Sequence, residues 1–173
     1  MLSLFKKKRK RSERVQTGSG LKVRLRQLVE EQIARSVPRQ AIYDELIEKS
    51  RAALNDTQTR GVRHADANAY LSVADEVLHV LMERNRQAEQ CERTGQVQEA
   101  IRLYEENLAD GFVGARPYER LRLIYTRQKR RADAIRVCRA YLALPDRNPV
   151  LAQGKDEFCA HLSRLEAMGD DDG

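Results

Sequence analysis

A segment of this chain recurs 34 residues later, and this repeat limits the folds that the chain can adopt. EAIRLYEENL (residues 99–108) is followed by DAIRVCRAYL (residues 133–142), with apolar residues at matching positions. The matched pairs include Ala100 and Ala134, Ile101 and Ile135, Leu103 and Val137, and Leu108 and Leu142. Apolar residues spaced three and four apart predict amphipathic helices. A period of this length is typical of stacked supersecondary units.

The composition also favours helices. Trp is absent, Gly and Pro number only nine and four, and aromatic residues make up 5% of the chain. Such a composition, rich in Ala, Leu, Arg and Glu, is that of helices rather than of a sheet. The 41% of hydrophobic residues is enough to bury a core. We therefore expect an all-α protein.

Apolar spacing and helix-breaking residues divide the chain into five parts. The predicted parts are a disordered basic arm (1–20), an N-terminal helical region (21–80), the repeats (81–148), a capping helix (149–167) and an acidic tail (168–173). The last helices are expected at about 97–109, 117–128, 132–143 and 150–165, and a loop at 55–61. A longer helix should precede Gly95.

The repeat resembles the tetratricopeptide repeat, in which small residues such as Ala100 and Ala134 mark the contact between two antiparallel helices. Tyr118, Leu121 and Tyr125 resemble the bulky residues of the first helix in that family. The two units would span 81–114 and 115–148. They differ at several aligned pairs, among them Arg84 and Tyr118, Gln87 and Leu121, Ala88 and Arg122, and Asn107 and Tyr141. The resemblance implies a short right-handed α-solenoid.

The resemblance also implies a groove, lined by the first helix of each unit, that holds a segment of another protein. Its residues would be Met82, Asn85, Glu89, Arg93, Arg116, Glu119, Leu123, Thr126 and Arg127. Met82 and Leu123 would supply apolar contacts, while Arg93, Arg116 and Arg127 would orient acidic groups. The alternative is that these side chains are simply a solvated surface.

The formal net charge of +6 is carried by the first 20 residues. Six consecutive cations there form an electrostatic arm, namely Lys6, Lys7, Lys8, Arg9, Lys10 and Arg11. This arm would bind nucleic acid without sequence preference, contact an anionic membrane, or act only as a solubilising tail. A second group of nine Arg and Lys residues lies within 116–139, and it is interpreted either as a phosphate site or as a solvated surface.

Motifs for catalysis, metals and cofactors are absent from the sequence. Cys91, Cys138 and Cys159 are expected at apolar helical positions without an activating histidine, and their spacing matches neither disulfides nor zinc ligands. Glu76 and His79 have the spacing of a helical metal pair but lack the further ligands that such a site needs. The sequence has no membrane-span pattern, and we expect a cytoplasmic protein that is not an enzyme and binds no cofactor.

The prediction is therefore a non-catalytic scaffold or adaptor that binds another protein or peptide segment in its groove. The alternative is a nucleic-acid-associated protein, in which the basic arm supplies affinity and the repeats recruit a partner. An uncapped repeat stack could also self-associate.

Overall fold

The computed structural model describes residues 18–55, 60–145 and 149–167, and every regular element in these ranges is an α-helix. The helices are α1 (Gly18–Ala34), α2 (Arg39–Asn55), α3 (Arg60–Arg93), α4 (Val97–Ala109), α5 (Ala115–Arg127), α6 (Arg131–Leu142) and α7 (Pro149–Ala167). The all-α prediction is confirmed. Most of the predicted arm, the centre of the predicted 55–61 loop and the acidic tail lie outside the described residues.

Two boundaries differ from the sequence prediction. Gly18, Ser19 and Gly20 belong to α1, although they were predicted to lie in the disordered arm (1–20). The carbonyls of the first residues of a helix accept bonds from the next turn, while their own N–H groups need no partner inside the helix. The first turn of α1 can therefore form at these residues. α3 begins at Arg60, within the loop predicted at 55–61, and runs without a break to Arg93. No Gly or Pro stands between Gly61 and Gly95 to stop it.

The backbone of the turns follows the 34-residue period. Gly95 after α3 and Lys129 after α5 both adopt positive φ, at 78° and 58°. In both turns the N–H of the following residue donates to the carbonyl four positions before the left-handed residue, at 2.8 Å. This pattern ends a helix by satisfying one of its last carbonyls. The two units therefore share a turn geometry although only one of them has glycine there.

Buried side chains form two clusters. One joins α1, α2 and the first half of α3, and it contains Leu25, Val29, Ile42, Leu46, Ala69, Val73, Ala74 and Val77. The other joins the end of α3 to α4, α5, α6 and α7, and it includes Ala88, Ala100, Tyr104, Leu121, Ala134, Val137 and Phe158. α3 is the element that contributes to both.

A polar junction lies between the two clusters, where the end of α4 meets the start of α2. The carbonyl of Asp110 accepts the N–H of Gln40 at 3.0 Å, and its carboxylate accepts the N–H of Arg39 at 3.1 Å. Arg39 Nη1 and Arg84 Nη1 donate to the second carboxylate oxygen at 3.0 and 2.7 Å. Asn107 adds a bond from its amide nitrogen to the carbonyl of Leu81 at 3.0 Å. We call this group the Asp110 junction.

The junction explains two departures from the repeat. Arg84 and Asn107 stand where the second unit has Tyr118 and Tyr141. In that second unit Tyr141 lies 5.3 Å from the ring of Tyr118 and 4.1 Å from that of Phe158 on α7. In the first unit these positions contact Asp110 and Leu81 beside the start of α2, whereas in the second unit they form aromatic contacts that reach α7.

Candidate functional site

The predicted groove residues lie on two helices that are in contact. Four of them are on α3 and five on α5. Arg116 Nε donates to Glu89 Oε1 at 2.9 Å, and Arg120 Nε donates to Glu92 Oε2 at 2.7 Å. These pairs hold α5 beside the last turns of α3. We call the surface formed by the nine predicted residues the α3–α5 face.

Apolar side chains on α3 extend this face towards the start of the helix. Met82 is 53% exposed, and Leu123 on α5 is partly buried. Leu71, 37% exposed, and the partly buried Leu78 precede Met82 by eleven and four residues, which places all three along one side of α3. Sequence analysis did not include Leu71 and Leu78 in the site because the repeat was taken to begin at residue 81. Their helical spacing was the available signal.

The cations of the face differ in how far they are engaged. Arg116 pairs with Glu89 and approaches Glu119 at 3.9 Å. Arg93 is 74% exposed and reaches Glu89 only at 3.8 Å. Arg127 is exposed and has no partner among the described residues. Arg93 and Arg127 are therefore little engaged by the described residues, whereas Arg116 joins α5 to α3.

Two further polar residues of the face offer little at its surface. The Thr126 hydroxyl donates to the carbonyl of Arg122 at 2.8 Å, a bond inside its own helix. The Asn85 side-chain oxygen is buried and has no hydrogen-bond partner among the described residues.

Glu92 ties α3, α4 and α5 together beneath the face, and sequence analysis did not identify it. Its carboxylate accepts the Tyr104 hydroxyl at 2.9 Å and two bonds from Arg120. Burial alone would raise the pKa of Glu92, but the bonds from Arg120 and Tyr104 lower it below its usual value. The face is thus carried by helices whose spacing is set by a charged hydrogen-bond network.

The basic group in residues 116–139 does not form an open phosphate site. All of its members except Arg127 and Lys129 contact groups within the chain. The contacts are Arg116 with Glu89, Arg120 with Glu92, Arg122 with Glu157, Arg130 with Asp133, Arg131 with the carbonyls of Leu165 and Glu166, Arg136 with Glu105, and Arg139 with Glu166. Most of these charges therefore join helices to one another.

A groove of about 310 Å³ lies between α1 and α3. Its apolar residues are Val29, Ile33, Val73, Val77 and Val80. The Arg26–Glu76 ion pair, with contacts of 2.6 and 2.8 Å, borders it. Because Glu76 is engaged in this pair, it does not act together with His79 as the sequence spacing suggested.

The described residues contain no group of three or more His, Cys, Asp or Glu side chains placed to hold a metal ion. Cys138 is buried, and burial raises the pKa of its thiol. Cys91 is partly buried, but Cys159 is exposed, which corrects the prediction that all three lie at apolar positions. The helix α7 presents Cys159 one residue after the buried Phe158, on the side away from the core.

In the part of the chain that the structure describes, no helix is both long and apolar enough to cross a membrane. The electrostatic arm, Lys6 to Arg11, lies outside the described residues. No family model, curated protein or solved structure matches the chain. The site is therefore interpreted from its own geometry.

Proposed function

We propose that this protein is a non-catalytic scaffold or adaptor, and that its α3–α5 face holds a segment of a partner protein. In this proposal α3 to α6 form a short tetratricopeptide-like array of antiparallel helix pairs, and α7 caps one end. The partner segment would place apolar side chains against Met82 and Leu123 and acidic groups near Arg93 and Arg127. The cytoplasmic location stays a prediction.

The contacts between helices support an array. α5 contacts α3 through Arg116 and Arg120, while α6 contacts α4 through Arg136, which donates two bonds to Glu105 at 2.5 and 3.1 Å. α3 and α5, and likewise α4 and α6, are thus linked although they lie two places apart in the chain. The left-handed residues that end α3 and α5 recur with the sequence period. Stacked pairs of this kind leave one continuous face for a partner.

The observation that carries the proposal is the exposure of Met82. A methionine that is 53% exposed, in line with Leu71 and Leu78, on a face that also carries the exposed Arg93 and Arg127, has the composition of a peptide-binding surface. Unbranched methionine adapts to different partner side chains. Apolar residues scattered singly over a surface need no partner, whereas Leu71, Leu78 and Met82 are aligned along one side of α3.

Selection of displayed peptides on the full-length chain would test the proposal directly. Peptides enriched on the wild-type protein are expected to bind Met82→Glu at least about tenfold more weakly, a loss of about 1.4 kcal/mol. The affinity should fall because a buried, unpaired carboxylate would replace an apolar contact. The affinities of both proteins would be measured by calorimetry.

Val23→Glu is the matched control, because Val23 is 55% exposed on α1, away from the α3–α5 face. Peptides should bind this variant as they bind the wild type. Equal binding to wild type and Met82→Glu would place the peptide site elsewhere. Binding that is lost on adding nuclease-resistant nucleic acid as a competitor, in all three proteins alike, would favour the basic arm instead.

A further inference from the structure

A row of apolar side chains runs along one side of α3, before the turns that contact α5 through Glu89 and Glu92. Leu71 is 37% exposed, Leu78 is partly buried and Met82 is 53% exposed. Their separations of seven and four residues correspond to about 10 and 6 Å along the helix axis. These separations are close to two turns and one turn, so the side chains lie in line. We call these three residues the apolar row.

The spacing of the apolar row matches that of another helix. A helical segment presents side chains to one side at the same intervals of four and seven residues. An extended segment presents one side chain about every 7 Å, and its backbone N–H and C=O groups point sideways and need partners. The backbone of α3 offers none there, because its own groups are bonded within the helix. A helix, whose backbone bonds are internal, therefore fits the row and an extended segment does not.

The charges along this side of α3 give the bound helix a direction. Asp75 lies within the apolar row, is exposed and pairs with no described residue. Arg93 lies about 16 Å beyond Met82. It is 74% exposed and reaches Glu89 only at 3.8 Å. A complementary helix would be basic near Asp75 and acidic near Arg93. Because acidic residues are stabilised near the N-terminus of a helix and basic residues near its C-terminus, the N-terminus would lie towards Arg93.

We propose that the apolar row binds an amphipathic helix of the partner, which runs antiparallel to α3 and carries acidic residues in its first turns. Apolar residues at positions i, i+4 and i+11 of this helix would lie opposite Met82, Leu78 and Leu71. A Lys or Arg near position i+7 would lie opposite Asp75. The inference rests on the proposed scaffold function and narrows the class of its partner. The opposite direction would bring acidic residues to Asp75, where like charges repel.

Two displayed libraries of peptides about 24 residues long would test whether the bound segment is helical. They share their randomised positions and differ only in a fixed central proline, which breaks a helix interior. Binders to the full-length chain are expected from the proline-free library alone, with apolar residues at i, i+4 and i+11. Introducing the proline into these binders should weaken them at least about tenfold. The binders should also lose affinity for Leu71→Glu but not for Val23→Glu.

This experiment separates the helix from the scaffold function itself. Proline-containing binders that lose affinity for Met82→Glu would refute the helix and leave the proposed function standing. Binders that ignore Met82→Glu and Leu71→Glu alike would refute the proposed function together with the helix. A second copy of the chain seated on the row would change the amide signals of residues 71–82 with protein concentration in the absence of peptide, and would also overturn the proposal.

Spin labels on a selected peptide would test its direction. A label on the peptide N-terminus should broaden the amide signals of residues 86–93 of the full-length chain, and a label on its C-terminus those of residues 64–71. The reverse pattern would overturn the antiparallel arrangement.

Charge reversal would test the pairing with Arg93. Arg93→Glu should weaken the peptide about fivefold, and replacing the acidic residues of the peptide by Lys should restore its affinity for this variant. Arg24→Glu is the matched control, because Arg24 is exposed on α1 and pairs with no described residue. Equal weakening in both variants would be an effect of net charge and would refute the pairing.

Discussion

Tyr118 and Tyr141 belong to one aromatic cluster but differ in their hydroxyl groups. The Tyr118 hydroxyl donates to the carbonyl of Phe112 at 3.0 Å, whereas the Tyr141 hydroxyl is buried and has no partner among the described residues. Burial raises the pKa of Tyr118 to about 12, so its hydroxyl remains a donor at neutral pH. An unpaired buried hydroxyl opposes folding, while a paired one supports it. Two tyrosines at successive helices of the repeat therefore have opposite energetic consequences.

Removing each hydroxyl should separate these effects. Tyr118→Phe should lower the free energy of unfolding by about 1 kcal/mol, because the Phe112 carbonyl loses its donor. Tyr141→Phe should leave this free energy unchanged or raise it by up to about 1 kcal/mol, since the ring contacts with Tyr118 and Phe158 remain. Denaturant unfolding of the two variants and the wild type measures the difference. An equal loss in both would mean that the Tyr141 hydroxyl has a partner after all.

The contact between the ends of α4 and α2 shows how helix termini are satisfied across the chain. Asp110, which ends α4, accepts hydrogen bonds from the backbone N–H groups of Arg39 and Gln40 at the start of α2. Arg39 lies 71 residues before Asp110 in the chain. A carboxylate at a helix N-terminus is stabilised by the helix dipole. Burial would raise the pKa of Asp110, but the bonds from Arg84 and Arg39 lower it below its usual value. The ionised form is thus the one that joins the two helices.

This linkage predicts how stability depends on pH. Because the folded-state pKa of Asp110 is lowered, its stabilisation is complete above the unfolded value of about 3.9 and is lost as the pH falls through the folded value. Asp110→Asn should lower the free energy of unfolding by about 1–3 kcal/mol at neutral pH. The difference from the wild type should shrink below about pH 4. Urea unfolding at a series of pH values gives both quantities.

Glu48→Gln is the control for that series, because the Glu48–Arg51 pair is largely exposed, at 70% and 67% of the two side chains. This variant should unfold as the wild type does at every pH. A constant difference between Asp110→Asn and the wild type from neutral pH to below pH 3 would show that the carboxylate charge is not what joins α2 to α4.

The positions of the helices could be predicted from the sequence, whereas the contacts between the helices could not. α4, α5 and α6 begin and end within two residues of the predicted positions, because their apolar period and the residues around Gly95 and Gly111 act locally. The Asp110 junction depends on groups brought together from three helices. From the sequence, Arg84 and Asn107 were visible only as departures from the repeat. The residues predicted to line the groove fall on α3 and α5, which contact each other, and Leu71 and Leu78 were not among them because α3 continues upstream of the predicted repeat.

At the scale of the whole molecule, the two buried clusters share no residue, and α3 carries both along its 34 residues. The Asp110 junction is the polar connection between them. Most of the stability of a helix in a protein comes from its tertiary packing. Unfolding of one cluster can therefore leave the turns of α3 in the other cluster formed. We therefore expect the two clusters to open with different free energies.

Matched leucine substitutions test whether the clusters unfold separately. Leu46→Ala affects the cluster of α1 and α2, Leu121→Ala affects that of α4 to α7, and both leucines are buried, at 5% and 0% exposure. Each should remove about 2–5 kcal/mol from its own cluster. In native-state hydrogen exchange, Leu46→Ala should then lower the protection of amides in α1, α2 and the first half of α3, with a much smaller effect in α5 and α6. Leu121→Ala should give the reverse pattern. If either variant lowered protection equally along the whole chain, the two clusters would form one cooperative unit, coupled through α3 and the Asp110 junction. A partner bound at the α3–α5 face would then stabilise α1 and α2 as strongly as α5.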